Sequence, residues 1–331
     1  TFTPVGFLFL DEPPEERVPI PDFRTVANVH VGHPSPDLLD TLYLCQHRQD
    51  WYRDFRRANA EGSLEFVSST RRSDAVVEVA ASMRTTLGLD LDERRRLRTW
   101  EEALRRLAER AEAIGILVMA SGIVGSNTHR NLDPEEFRGF ALADDLAPLV
   151  FINGSDTKSA RMFTLAHELA HLWLGESAVS DADAADVPDH DVERWCNEVA
   201  AELLVPLEIV RSELDRGAPL AGEAQRLAHR FKVSTLVILR RIRDTGAIDQ
   251  QAFWVAYRAE RARLIALPRS KSSGGDFFAT LGVRVGKPLA HALVVSALEG
   301  RTSFTEAFRL LGIKKLSTFD ALARRLGVDE S

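Results

Sequence analysis

His167-Glu168-Leu169-Ala170-His171 is the segment of this chain whose residue types and spacing best suit chemistry. Two histidines four apart on a helix share a face, about 6 Å apart, so both imidazoles can reach one ion. Glu168 follows the first histidine and can touch a water at that ion. The chemistry this implies is metal-assisted hydrolysis. Zinc brings the pKa of water towards ~7, and the carboxylate takes its proton as the water attacks a carbonyl. The expected cofactor is one Zn2+ per chain, although manganese or iron suits the same ligand types.

A catalytic zinc needs a third protein ligand and an open fourth position. The downstream stretch 190–204 offers His190, Asp191, Glu193, Glu198 and Glu202. Glu193 and Asn197 share a helix face with Ala200 and Leu204, which points that face inward and makes Glu193 the chosen ligand, with His190 its competitor. Glu198 and Glu202 share another face with Arg194, as in a solvated ion-pair row. His190, Tyr257 and Arg161 are candidates for stabilising an oxyanion.

These residues need a rigid frame. Met162, Phe163, Leu165, Ala166, Leu169, Leu172, Trp173 and Leu174 make the HExxH helix apolar nearly all round, hence buried. Buried histidines and a buried glutamate need partners, and a metal satisfies all three together. The alternative is a core helix with two hydrogen-bonded histidines. Asp156 or Ser159 is placed to cap this helix, and Gly175 to end it. Upstream, Ile116 to Met119 reads as a buried strand. Phe137 to Leu142 and Pro148 to Ile152 read as two more, joined in a hairpin. Helical periodicity covers 36–57, 74–87 and 100–114, and helices dominate from 190 onward. Ser303 with Glu306 forms a capping box before a short helix ending at Gly312. The fold class is therefore α+β, mainly helical, with a small sheet.

Gln225 to Ile242 reads as helix, tight turn, helix, with Ser234 capping the second. Leu227, Ala228, Val233, Leu239 and Ile242 are placed to pack the pair together, and Arg240, Arg241 and Arg243 could face phosphates. The same unit also serves as plain packing. Arg94-Arg95-Arg96 reads as a solvated helix face.

The net charge of −7 argues against a chain that coats nucleic acid along its length. Apolar residues make up 45%, enough for packed cores. No apolar run reaches the roughly 18–20 residues of a bilayer span, so no membrane partner is expected. Cys45 and Cys196 match no metal or redox spacing and fit a reducing compartment, the cytoplasm, with one disulfide as the alternative. The chain begins at Thr1 rather than Met, which reads as a trimmed or processed start.

The sequence resembles the ImmA/IrrE family of metallopeptidases around Arg161 to Leu172, around Glu193-Arg194-Trp195-Cys196-Asn197 to Pro206, and at Gly139 to Leu142 and Leu149 to Asn153. The resemblance spans about 75–250. It implies a zincin-like core, with the glutamate of the E-x-x-[AC]-N motif (here Glu193) completing the metal site. It also implies a protein substrate, a helix-turn-helix repressor of the XRE type, whose cleavage switches on stress-response or mobile-element genes. Many relatives carry a repressor-type DNA-binding domain upstream of a segment like Phe2 to Leu10, where this chain starts. The expected organisation is an arm and helices in 1–74, the peptidase core in 75–215, a helix-turn-helix-like segment in 216–250 and a helical region in 251–331. Leu149 to Asn153 is a candidate edge strand for pairing with an extended substrate. A second reading, from another class, is a regulatory DNA- or protein-binding module, half of a repressor or toxin–antitoxin pair, with a structural or sensory zinc. The intact Glu168 favours the enzyme, since a binding module has no need of it.

Overall fold

Three short strands buried along nearly their whole length decide the layout of this computed structural model, which describes residues 18–21, 25–26, 29–30, 34–180, 191–266 and 277–328. The N-terminal part holds β1 (Thr25–Val26), β2 (Val29–His30), α1 (Pro36–Ala58), α2 (Val76–Leu87), α3 (Leu91–Arg96) and α4 (Trp100–Ala113). Next come β3 (Leu117–Ser121), β4 (Gly139–Leu142), β5 (Leu149–Asn153), α5 (Lys158–Leu174), β6 (Ala178–Ser180) and α6 (Asp191–Leu204). The remaining helices are α7 (Leu207–Glu213), α8 (Leu220–Phe231), α9 (Thr235–Asp244), α10 (Gln250–Ala266), α11 (Phe277–Val285), α12 (Lys287–Leu298), α13 (Phe304–Leu311) and α14 (Leu316–Arg325).

The four-stranded sheet has the order β3-β5-β4-β6, with β3 parallel to β5 and the other pairs antiparallel. Side chains alternate between its faces. Val118, Ala141, Val150 and Ile152 join the core around α5 and α6. Leu117, Met119, Phe140, Leu142, Leu149, Phe151 and Val179 join a second core with α1 and α11–α14. A sheet apolar on both faces needs cover on both. The C-terminal helices supply the second cover, which gives residues 277–328 a packing role. Across the hairpin, Phe140 and Phe151 stack with ring centroids 4.9 Å apart. Gln49 of α1 donates to the carbonyls of Leu142 and Ala147, tying the hairpin to that layer.

Several expectations are corrected here. Leu149 to Asn153 is an interior strand, paired on both sides, so it offers no edge to a substrate. The sheet's outer strands are β3 and β6, and the Val179 N–H of β6 donates to Pro21 O of the N-terminal arm. The cap of α5 is Thr157, whose hydroxyl accepts from Ala160 N–H, because Asp156 instead accepts from Thr157 N–H and pairs with Arg138. Gly175 ends α5 in the left-handed region, as its lack of a Cβ allows. Both cysteines are free and buried.

Helix α6 is pinned at its C-terminus. Arg84 donates to Glu202 O, Arg94 to Leu204 O, and Arg241 to Val205 O. Cations on these otherwise unpaired carbonyls complement the negative end of the helix dipole. Glu202, expected in a solvated row, is 5% exposed and paired with Arg241, which is 6% exposed. Glu198 and Arg194 of that row are exposed, and Arg194 pairs with Asp191. Removing one partner of a buried ion pair leaves the other uncompensated. Glu202→Ala should therefore destabilise the chain by about 3 kcal/mol in urea unfolding, whereas Glu198→Ala should stay within about 0.5 kcal/mol. Equal effects would contradict this placement.

Candidate metal centre

The side chains of α5 and α6 meet where the sequence spacing aims them. His167 Nε2 lies 3.0 Å from Glu193 Oε2, and His171 Nε2 lies 3.0 Å from Glu193 Oε1. The two Nε2 atoms are 3.1 Å apart. Among the described residues this is the one cluster of histidine, cysteine and acidic side chains with metal-ligand geometry. Ligands at roughly 2.0–2.1 Å from a tetrahedral zinc stand about 3.3 Å from one another, so a small outward movement admits the ion. The donor set, two imidazoles and a carboxylate, is one that zinc takes in hydrolases.

The surroundings fit an ion as well. His167, Glu168 and His171 are 0% exposed and Glu193 3%. His167 Nδ1 lies 3.0 Å from Asn197 Oδ1, an acceptor that orients the ring and holds a proton on Nδ1, so that Nε2 is the atom left for a metal. Both Glu168 oxygens are buried with no well-aligned hydrogen bond, the Ser180 hydroxyl being the one donor that acts on them, whereas Glu193 Oε1 faces His171 Nε2. Such poorly satisfied acceptors are costly unless a cation and its water meet them. The structure thus brings together His167, Glu168, His171 and Glu193. His190 lies outside the described residues.

Burial pushes the Glu168 carboxyl up to about 8, with the nearby charge of His167 and the Ser180 hydroxyl opposing and Glu193 adding to the rise. Burial also acts to raise Glu193, but the charges and hydrogen bonds of His167 and His171 outweigh it and hold this carboxyl well below the usual range. His167 is raised: burial opposes its charge, but the charge and hydrogen bond of Glu193 prevail.

Sequence reasoning missed two contributors. Ser180 of β6 is fully buried, with its hydroxyl 3.5 Å from His171 Nε2. A three-residue strand after a helix carries too little pattern to be seen. Gly139 of β4 is the other. A Cβ there would meet Phe151 O at 2.8 Å, Thr164 Cγ2 at 2.7 Å and Glu168 Oε1 at 3.0 Å, so only glycine lets the strand pass this close to α5.

The helix-turn-helix shape is present in α8 and α9, with Lys232 left-handed at the turn and Ser234 capping α9. Its arginines do not form the expected phosphate-facing row. Arg241 is buried on Glu202, and Arg243 pairs with Asp244 while its guanidinium lies 4.8 Å from the centre of the Phe253 ring. Arg240 is half-buried. Helix α9 packs against α7, α8 and α10, which accounts for the correction. Tyr257 is buried in the same core, and Arg161 is half-buried at the start of α5.

The family described as "IrrE N-terminal-like domain" matches residues 111–243, and a domain of unknown function matches residues 285–325. The chain is 32% identical over 91 residues to the "Radiation response metalloprotease IrrE" of Deinococcus radiodurans, covering 26% of this chain and 28% of that protein. It is 33% identical over 104 residues to the protein of the same name from Deinococcus deserti, covering 30% of this chain and 37% of that one. The chain thus matches well under two thirds of either relative's length. Among the described residues no single helix is long and apolar enough to cross a membrane; α11 and α12 pass such a test only together, bent by 97°.

Proton linkage separates the two states of the centre. Without metal, Glu193 stabilises the fold above its unfolded pKa of about 4.3, and this is lost as pH falls. Glu168 and His167 have folded pKa values above their unfolded ones. Their contributions are complete below about 4.3 and 6.5 and are lost as pH rises through the folded values. Bound zinc instead needs neutral histidines and an ionised carboxylate. The Tm difference between zinc-loaded and metal-free protein should therefore widen from about pH 5.5 to pH 8. A flat or narrowing difference in thermal melts would exclude histidine ligation.

Proposed function

With residues 111–243 belonging to the ImmA/IrrE family of metallopeptidases, we propose that this chain is a zinc-dependent endopeptidase with His167, His171 and Glu193 as ligands and Glu168 as general base. The convergence of those three ligands beside a fully buried Glu168 carries this reading. A zinc ion bound there supplies Lewis acidity for polarising a carbonyl and activating water.

The chain's own residues do the rest. Burial makes Glu168 a stronger base than a surface carboxylate, suited to taking a proton from water and returning it to the leaving amine. Asn197 fixes the His167 tautomer, and Gly139 leaves the space in which the Glu168 carboxylate turns. The dry surroundings strengthen each of these interactions. Since the ligands and Glu168 are cut off from solvent, a peptide bond enters only when part of their cover moves. That is the behaviour of a protease under control.

The substrate assigned is a helix-turn-helix repressor of the XRE type in the cytoplasm, cut so that stress-response or mobile-element genes are released. The family membership and the "radiation response" designation of both relatives support this assignment. The alternative, a non-proteolytic regulatory module contacting DNA or protein, draws support from the shape of α8 and α9 alone, without a free basic face.

Glu168→Gln should keep the fold and the zinc yet lower cleavage of a repressor substrate by about 10²–10⁴-fold, read by gel electrophoresis with purified zinc-loaded chain. The same variant should retain the uncut repressor in a pull-down. A fully active Glu168→Gln protein would sink the assignment of the base, and a parent that binds its partner uncut with zinc present would favour the regulatory module.

A further inference from the structure

A narrow crevice opens between the end of α2, the short helix α3, helix α4 and the last turn of α6. Leu89, Leu97, Leu107, Met162 and Leu204 line it together with Arg94. None of these is a metal ligand.

Arg94 is half used. Its Nη1 donates to Leu204 O at 2.9 Å, while Nε and Nη2 have neither a hydrogen-bond partner nor contact with solvent. Nε–H and one Nη2–H point the same way, along the guanidinium edge that matches both oxygens of a carboxylate. That edge is the one without a partner. The nearby acids are committed elsewhere: Glu93 to Arg106 and Arg110, Asp90 to the N–H of Asp92, and Asp92 to Arg230. Lys232 is a further cation nearby, its pKa lowered by burial and then by the charge of Arg94. Burial with no opposing anion brings the Arg94 guanidinium itself down to about 9, so it stays charged at neutral pH.

A desolvated cation with two parallel unused donors calls for an anion, and the leucine and methionine walls call for an apolar group beside it. The acids around the crevice disfavour a dianion. We propose that this crevice binds a small carboxylate with a short apolar tail, its oxygens on Nε and Nη2 of Arg94 and its tail against Leu97, Leu107 and Met162. The occupant would touch α5 through Met162 and α6 through Leu204, the two helices that carry the metal ligands.

Hexanoate is the probe, titrated calorimetrically into the full zinc-loaded chain, with hexanol and inorganic phosphate as tail-only and charge-only controls. Hexanoate should bind saturably and the two controls should not. Arg94→Lys keeps a cation near Leu204 O but removes the fork, and should weaken binding at least about tenfold. Leu97→Trp fills the crevice and leaves Arg94 intact; it should abolish binding, and it carries the test should Arg94→Lys fail to fold. No saturable binding to the parent, equal binding by Arg94→Lys or Leu97→Trp, or preference for phosphate would each overturn the proposal. The readout is binding alone, so it stands or falls independently of proteolysis.

Discussion

Two histidines and two carboxylates share an interior shielded from solvent, and the rest of the fold is arranged around holding them there. Desolvation penalises each charge, and at Glu193 and His167 the contacts between them outweigh it. Glu168 has the Ser180 hydroxyl beside it and no well-aligned hydrogen bond. A cation bound among them would take His167, His171 and Glu193 as ligands and would bring a positive charge beside Glu168.

The scaffold fixes that constellation from three directions. The sheet lies against α5 and approaches Glu168 closely enough that position 139 holds no side chain. Helix α6 presents Glu193 and Asn197 at one end and is fastened at the other by Arg84, Arg94 and Arg241. Those arginines come from α2, α3 and α9, so the ligand geometry depends on segments distant in sequence. On the far side of the sheet, α1 and α11–α14 seal the face that α5 does not cover. The basic residues that could have served nucleic acid are spent on this internal bracing, Arg241 above all.

What was legible in the sequence follows from the range of the interactions. The positions of α5 and α6, the left-handed end at Gly175, the Ser303 and Ser234 caps and the choice of Glu193 depend on neighbours within a turn or two. Periodicity and spacing record such neighbours directly. The edge status of Leu149–Asn153, the burial of Glu202 and Arg241 and the roles of Ser180 and Gly139 depend on partners tens of residues away. No local pattern encodes those. Arg94 shows the difference plainly: in sequence it is the first of three arginines on a charged helix, and in the fold it ends α6.

The central claim is a three-ligand zinc site completed by Glu193. Metal content per chain, measured by elemental analysis after zinc loading and dialysis, tests it most directly on the parent and on Glu193→Ala. The account predicts about one zinc in the parent and a weakened or absent signal in the variant. Unchanged zinc in Glu193→Ala, or no zinc in the parent, would contradict it.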